Sequence, residues 1–289
     1  MVNAQEPMPT TRPPAHPYDH VPLTVLSGVG RSGTTIVREA LSRHPDLDST
    51  NLENNIILDL LEAAARNCTI PARRHAMRVQ DKVYDAHFRS LVLRLLWPRP
   101  SLDTKKPERL LAYSNLNPFA ADYLLRLFPT VRIVYIVRNG IEVVSSRMRF
   151  ESFKHRDAAA HSETWRLSHD MARWGAERRE FLLVRHEWLA ERGGPERMMR
   201  AILPFLGLRE HAPCVEAFGE GLIHPTSDRG DSMIEAKGVA DALRSRAERW
   251  RSWSDEEREA FESRCGEAMA YFGYEVPWGG ASGNRSEAA

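Results

Sequence analysis

Apolar positions along the chain fall into short unbroken runs, separated by longer segments in which they recur every three or four residues. LTVLSG (23–28) is a run of the first kind, and its length and β-branching predict a buried strand ending in glycine. Residues 34–43 follow with Ile36, Val37, Ala40 and Leu41 on one helical face, and Pro45 stops that helix. Residues 53–66 and 72–96 predict helices, RLLAY (109–113) a strand, and FAADYLLRLF (119–128) a helix. VRIVYIV (131–137) is the clearest strand: apolar, β-branched and long enough to be covered on both faces. A helix from about 141, another over roughly 160–179, a strand at FLLVR (181–185) and a helix over 195–206 come next. Ser254 and Glu257 form a capping box. It opens a helix with Phe261, Cys265, Ala268 and Phe272 on one face, ended by Gly273. Strands alternating with helices predict an α/β fold with a parallel sheet.

Composition sharpens this picture. A chain of 289 residues that is 42% hydrophobic and 27% charged suits one large α/β domain, and no linker divides residues 21–278. Residues 1–20 hold five prolines and little apolar content, and 279–289 read GGASGNRSEAA; a flexible N-terminal arm and a flexible C-terminal tail are expected. The formal net charge of +1 gives no electrostatic basis for a nucleic-acid partner. No apolar run approaches the roughly 20 residues of a membrane span, and the N-terminus lacks the apolar core of a secretory signal, so no membrane insertion is expected. Cys68, Cys214 and Cys265 are odd in number and far apart, which predicts neither a disulfide framework nor a CxxC pair and suggests a reducing, cytoplasmic setting. No zinc-type His/Cys spacing occurs. Of 40 basic residues only five are lysine, so a lone arginine carries little weight.

The segment Gly28-Val29-Gly30-Arg31-Ser32-Gly33-Thr34-Thr35 lies between a predicted strand and a predicted helix. Glycines let the backbone wrap close to an anion with its N–H groups inward. The helix start adds positive partial charge and free donors. Against the nucleotide-triphosphatase pattern G-x-x-x-x-G-K-[ST], Gly28, Gly33 and Thr35 fit, but Thr34 stands where the phosphate-binding lysine belongs. The loop carries Arg31 instead. A plain glycine turn is the alternative reading. A second loop has the same topological place: strand 131–137 ends in Arg138-Asn139-Gly140, and Ser146 follows eight residues after Arg138. Ligands of open parallel sheets bind at the carboxyl ends of strands, so the two loops suggest two anion sites for one ligand.

With GVGRSGTT followed by VRIVYIVRNGIEVVSS, the chain resembles the sulfotransferases that use 3′-phosphoadenosine-5′-phosphosulfate (PAPS), over about residues 23–276. TTIVREALSRHPDL and the ending ERWRSW…AMAYFGYE are similar to the tyrosylprotein and bacterial carbohydrate or natural-product branches. The resemblance implies an α/β P-loop-like three-layer fold with a central parallel sheet flanked by helices. It implies that Arg31, Ser32, Gly33, Thr34 and Thr35 hold the 5′-phosphosulfate, that Arg138 and Ser146 hold the 3′-phosphate, and that no metal takes part. It also implies release of PAP, the 3′,5′-bisphosphate, after transfer to a hydroxyl or amine of a small molecule, glycan or peptide.

A hydroxyl acceptor benefits from a general base. In the tyrosylprotein branch a catalytic Glu lies about this far beyond the loop. An ungapped alignment places Leu52 there and Glu53 one residue later, an offset that a one-residue insertion in 46–52 removes. The alternative is that Glu53 stabilises a helix N-terminus. Many relatives carry a Lys before a Pro near the leaving group. Lys105-Lys106-Pro107 has the residues, and Ser114–Pro118 has the strand-to-helix position without a lysine. Arg249, before Trp250, matches a basic cofactor contact of the tyrosylprotein branch or is an exposed helix arginine. His186 follows strand 181–185, where relatives place an aromatic residue near adenine, or it is an edge histidine. Two other functions fit less well: a small-molecule kinase with an aberrant P-loop, opposed by Thr34 and by the Arg138/Ser146 pair, and a non-catalytic nucleotide-binding module of the same fold.

Overall fold

The computed structural model describes residues 13, 15–53, 56–70, 81–98, 107–219 and 249–278. Five strands form a parallel sheet: β1 (Leu23–Ser27), β2 (Leu47–Glu53), β3 (Arg109–Tyr113), β4 (Arg132–Val137) and β5 (Phe181–Arg185), in the order β2-β3-β1-β4-β5. The helices flanking it are α1 (Thr34–Leu41), α2 (Ile56–Thr69), α3 (Asp81–Leu96), α4 (Pro118–Leu127), α5 (Gly140–Arg149), α6 (Ala158–Gly175), α7 (Gly194–Phe205), the short α8 (Ala212–Glu216) and α9 (Asp255–Tyr271). Turns of 3-10 helix cover His186–Ala190 and Arg249–Ser252. The expected α/β architecture is present.

By contact the chain falls into two compact units, Met1–Val25 with Asp46–Val131, and Leu26–Pro45 with Arg132–Ala289. In the first unit α2, α3 and α4 pack together over Leu61, Leu93 and Leu124, all buried. Asn117 starts α4 by accepting a hydrogen bond from the Ala120 N–H at 2.9 Å, and Pro118 at the first helical position needs no partner for an N–H. Residues 15–20, within the expected arm, are packed here. Tyr18 is buried against Trp97 and donates to Asp48 at 2.9 Å, and His16 Nε2 lies 3.2 Å from the Trp97 carbonyl oxygen.

One strand escapes the pattern. The pattern predicts loop up to 52 with Glu53 opening a helix, yet LDSTNLE (47–53) forms β2 in parallel register with β3. An edge strand with one neighbour is held by that ladder and not by its own propensity. Glu53 therefore closes a strand, opposite Tyr113, and α2 begins at Ile56.

The second unit is built around β4, whose residues Ile133 to Val137 are all buried. Helices α5, α6 and α9 pack against one another around Trp165, Val143, Val144, Phe261 and Met269. Trp165 sits so close to the start of α5 that a Cβ on Gly140 would fall 2.8 Å from its ring. Its indole Nε1 donates to the Arg138 carbonyl at 2.9 Å. The expected capping box of α9 is complete: Glu257 N–H donates to Ser254 Oγ at 3.3 Å and Ser254 N–H to Glu257 Oε2 at 2.7 Å.

Candidate active site

The loop after β1 is shaped by close backbone approaches. Gly28 has φ +155°, and a Cβ there would lie 2.6 Å from the Ile136 carbonyl oxygen of β4. Gly33, the N-cap of α1, has φ +91°, and a Cβ there would fall 2.2 Å from the ring of His186. Only glycine fits both the conformation and the space. Between them Ser32 N–H closes a turn onto the Val29 carbonyl at 2.9 Å. The start of α1 leaves the N–H groups of Thr34, Thr35 and Ile36 without intrahelical acceptors. Ser32 is fully buried, and its Oγ has no hydrogen-bond partner among the described residues. Arg31 has φ +81°, the one positive value among described non-glycine residues. Such a conformation costs energy and is found where surrounding contacts impose it.

Those contacts come from the second motif. Arg31 Nε donates to Ser146 Oγ at 3.1 Å, and its guanidinium lies over the Phe150 ring, 4.4 Å from the centroid. Arg138, at the carboxyl end of β4 and 6% exposed, donates from Nη1 to the Arg31 carbonyl oxygen at 3.2 Å. Its Nε and Nη2 both donate to Glu142 Oε2, at 3.0 and 2.5 Å. So residues 115 apart in sequence, Arg31 and Ser146, meet side chain to side chain, and the two sequence motifs form one cationic cluster within one unit. Asn139 caps α5, its Oδ1 accepting from the Ile141 N–H at 2.9 Å. Its own N–H donates to Glu187 Oε1 at 2.7 Å, and the Tyr274 hydroxyl donates to Glu187 Oε2 at 2.9 Å. Burial pushes the Glu187 carboxyl above the ordinary carboxylate range, and these hydrogen bonds oppose it.

A basic prop below the loop was not anticipated. Arg147, 4% exposed, donates to the Gly30 carbonyl oxygen at 3.4 Å and to His161 Nδ1 at 3.2 Å, and lies over Phe153 at 4.2 Å. Burial first, then the Arg147 charge, pushes His161 down to about 4. Glu142 had a readable signal, an acid four residues after Arg138 on a helix. Arg147, Phe150 and Phe153 had none beyond their adjacency to Ser146.

The other candidates are placed differently. Glu53 closes β2 in the first unit. Lys105 lies outside the described residues. In the segment 114–118, Ser114 is fully buried, and Asn117 is used for capping α4 and donates from Nδ2 to Glu62 at 2.5 Å. His186 is buried against Gly33 as a loop buttress. Arg249 opens a 3-10 turn, its carbonyl accepting from Ser252 Oγ at 2.9 Å, while Trp250 beside it packs on the α9 core and against Trp278. Among the described residues no cluster of His, Cys, Asp and Glu is suited to a metal, and no helix is long and apolar enough to cross a membrane.

The chain is similar to Protein-tyrosine sulfotransferase 1 of Rattus norvegicus and of Homo sapiens, each 31% identical over 134 residues, or 45% of this chain and 34% of the relative. It is 26% identical over 204 residues to Protein-tyrosine sulfotransferase of Drosophila melanogaster, covering 64% of this chain and 38% of that one. The chain thus spans little more than a third of the length of these curated relatives. In structure it resembles the sulfotransferase domain from the Synechococcus PCC 7002 olefin synthase, with TM-score 0.56 and 20% identity over 89% of this chain and 96% of that one. The sulfotransferase domain from the curacin biosynthetic pathway gives TM-score 0.51 and 16% identity over 88% and 98%. These two likenesses concern the fold. The family model described as the sulfotransferase family matches residues 22–212, which contain the glycine loop, the Arg138/Ser146 segment and every described strand, and the chain belongs to that family.

Proposed function

We propose that the protein transfers the sulfuryl group of PAPS to a hydroxyl or amine of an acceptor, releasing PAP. The observation that carries this reading is the Arg31 to Ser146 hydrogen bond, with Arg138 on the Arg31 carbonyl. It joins the glycine loop to the Arg138/Ser146 pair, so one ligand with two anionic groups can engage both. Family membership supports the same chemistry. In the reaction the acceptor oxygen or nitrogen forms a bond to sulfur as the bond from sulfur to the bridging phosphate oxygen breaks. The electron pair stays on PAP. Arg31 and the N–H groups of the loop stabilise the charge that develops, and catalysis is mainly positioning and electrostatics. Ser32, Gly33, Thr34 and Thr35 line the 5′ side, and Arg138 and Ser146 hold the 3′-phosphate. Arg249 is a further cofactor contact and Lys105 a helper at the leaving group. Glu53 takes the acceptor proton, supported by its distance along the sequence from Arg31.

The acceptor is a small molecule, glycan or peptide, a tyrosine peptide included, since protein-tyrosine sulfotransferases are among the relatives. A cytoplasmic location accords with three free cysteines, of which Cys214 and Cys265 are buried with thiols pushed up to about 11 and about 12. The test is thermal shift with PAP and with ATP–Mg²⁺, followed by PAPS turnover on an acceptor panel. Stabilisation by PAP together with turnover is expected. Preference for ATP–Mg²⁺ would favour a kinase, and PAP binding without turnover on any acceptor would favour a binding module.

A further inference from the structure

The loop's Gly30 carbonyl is held by a buried arginine that neither anion motif includes. A Cβ on Gly30 would come within 3.1 Å of Arg147 Nη1 and 3.8 Å of Phe153, so the guanidinium lies directly against the loop backbone at this residue. Arg147 is fixed on three sides: the Gly30 carbonyl, the Phe153 ring and His161 Nδ1. An arginine has no proton it gives up in a protein and no acceptor of its own. His161 must therefore offer a bare Nδ1 and carry its proton on Nε2, a tautomer assigned here from the donor it faces. The fall of the His161 pKa to about 4 keeps the ring in that neutral form at physiological pH.

The peptide between Gly30 and Arg31 is planar and trans, so its C=O and N–H point in opposite directions. Holding the Gly30 oxygen from below fixes where the Arg31 N–H points. It also sets the entry into the Arg31 backbone, whose φ of +81° needs support. The same contact brings a buried positive charge behind the loop, where screening by water is weak.

We propose that Arg147 is a positioning residue for the 5′-phosphosulfate: seated on Phe153 and His161, it fixes the Gly30–Arg31 peptide and supplies fixed positive charge beneath the anion loop. The inference rests on the sulfotransferase reading and adds a residue to it. Arg147 acts through the loop backbone and the local field, not by touching the ligand. It should therefore matter equally to any ligand with a 5′-phosphate, whether or not a 3′-phosphate is present.

The experiment measures binding of PAP and of adenosine 5′-phosphate by calorimetry to the full chain as wild type, Arg147→Met, Arg147→Lys and Phe153→Leu, with circular dichroism as the folding control. Arg147→Met is expected to weaken both ligands by about tenfold through the lost local charge and the loosened loop backbone, leaving their affinity ratio at the wild-type value. Arg147→Lys should restore part of both affinities. Phe153→Leu keeps the charge and loosens its seat, and should weaken both ligands about threefold. It serves as the deciding variant if Arg147→Met does not fold. A folded Arg147→Met, or failing that Phe153→Leu, that binds both ligands as wild type does would overturn the proposal, as would a loss confined to PAP. A wild type that binds neither ligand would remove the sulfotransferase reading itself, and this inference with it.

Discussion

Arg138→Ala is expected to weaken PAP binding by about 10- to 150-fold, while adenosine 5′-phosphate changes by less than about threefold. The magnitude follows from how the guanidinium is used. It has five N–H donors, of which two go to Glu142 and one to the Arg31 carbonyl. Among the described residues nothing takes the other two, which can meet a 3′-phosphate. One charge-assisted hydrogen bond contributes about 1.5–3 kcal/mol, which sets the fold range at 25 °C. A second effect adds to the loss. Without Arg138 the Glu142 carboxylate, 19% exposed, faces the phosphate with no compensating charge. Arg138→Ala/Glu142→Gln removes that repulsion and should bind PAP more tightly than Arg138→Ala alone. Calorimetry with both ligands on all three proteins checks this. Equal weakening of PAP and adenosine 5′-phosphate would refute the reasoning. It would mean that Arg138 serves only to hold the loop through the Arg31 carbonyl.

Arg31→Ala should lower PAPS turnover by roughly 10²–10³-fold, as for loss of one preorganised donor, with a smaller loss of PAP affinity, because PAP lacks the sulfuryl oxygens; equal losses would reduce Arg31 to a nucleotide contact. Glu53→Gln should lower turnover by roughly 10²–10⁴-fold with PAP affinity unchanged; near-normal turnover at neutral pH would assign the base to another residue. His161 has a folded pKa of about 4, below its ordinary 6.5, so the stability it contributes is complete above the ordinary value and is lost as pH falls from about 6.5 to 4. Melting curves from pH 7 to 4.5 should therefore fall less steeply for His161→Gln than for wild type, and parallel curves would show that His161 does not titrate in that window.

The sequence spoke most clearly where local pattern and tertiary role agree. β4 is legible because a buried central strand must be apolar throughout, and all of Ile133 to Val137 is buried. The helix from 255 is legible because both arms of its cap are local. β2 is not, since its polar residues form a strand only through the ladder to β3, which sits 60 residues further along the chain. That miss bears on Glu53, whose alternative as a helix N-terminal carboxylate depended on a helix that starts at Ile56 instead. The strand-to-helix placement of the two loops was readable because glycine positions and the flanking apolar runs constrain each other. The stack of Arg31 on Phe150 and of Arg147 on Phe153 was not. In a chain with 35 arginines one more after Ser146 carries no signal, and two phenylalanines three apart read as a continuation of the preceding helix, whereas the helix ends at Arg149 and both lie in the turn that follows.

The loop lacks the lysine that would reach the β- and γ-phosphates of a nucleoside triphosphate, and the structure shows how cationic character is supplied without it. Two consecutive loop carbonyls, those of Gly30 and Arg31, are each held by a buried arginine from the segment after β4, Arg147 and Arg138 respectively. The side chain of Arg31 is in turn held by Ser146 and Phe150 of that same segment. A lysine in the first turn of the helix would be a mobile point charge on a flexible stem, whereas a guanidinium anchored at two points, as each of these three is, has a fixed plane. With Thr34 in place of that lysine, Arg31, Arg138 and Arg147 set oriented cationic donors around the loop, an arrangement suited to the proposed transfer of a sulfuryl group, which carries less charge than a phosphoryl group.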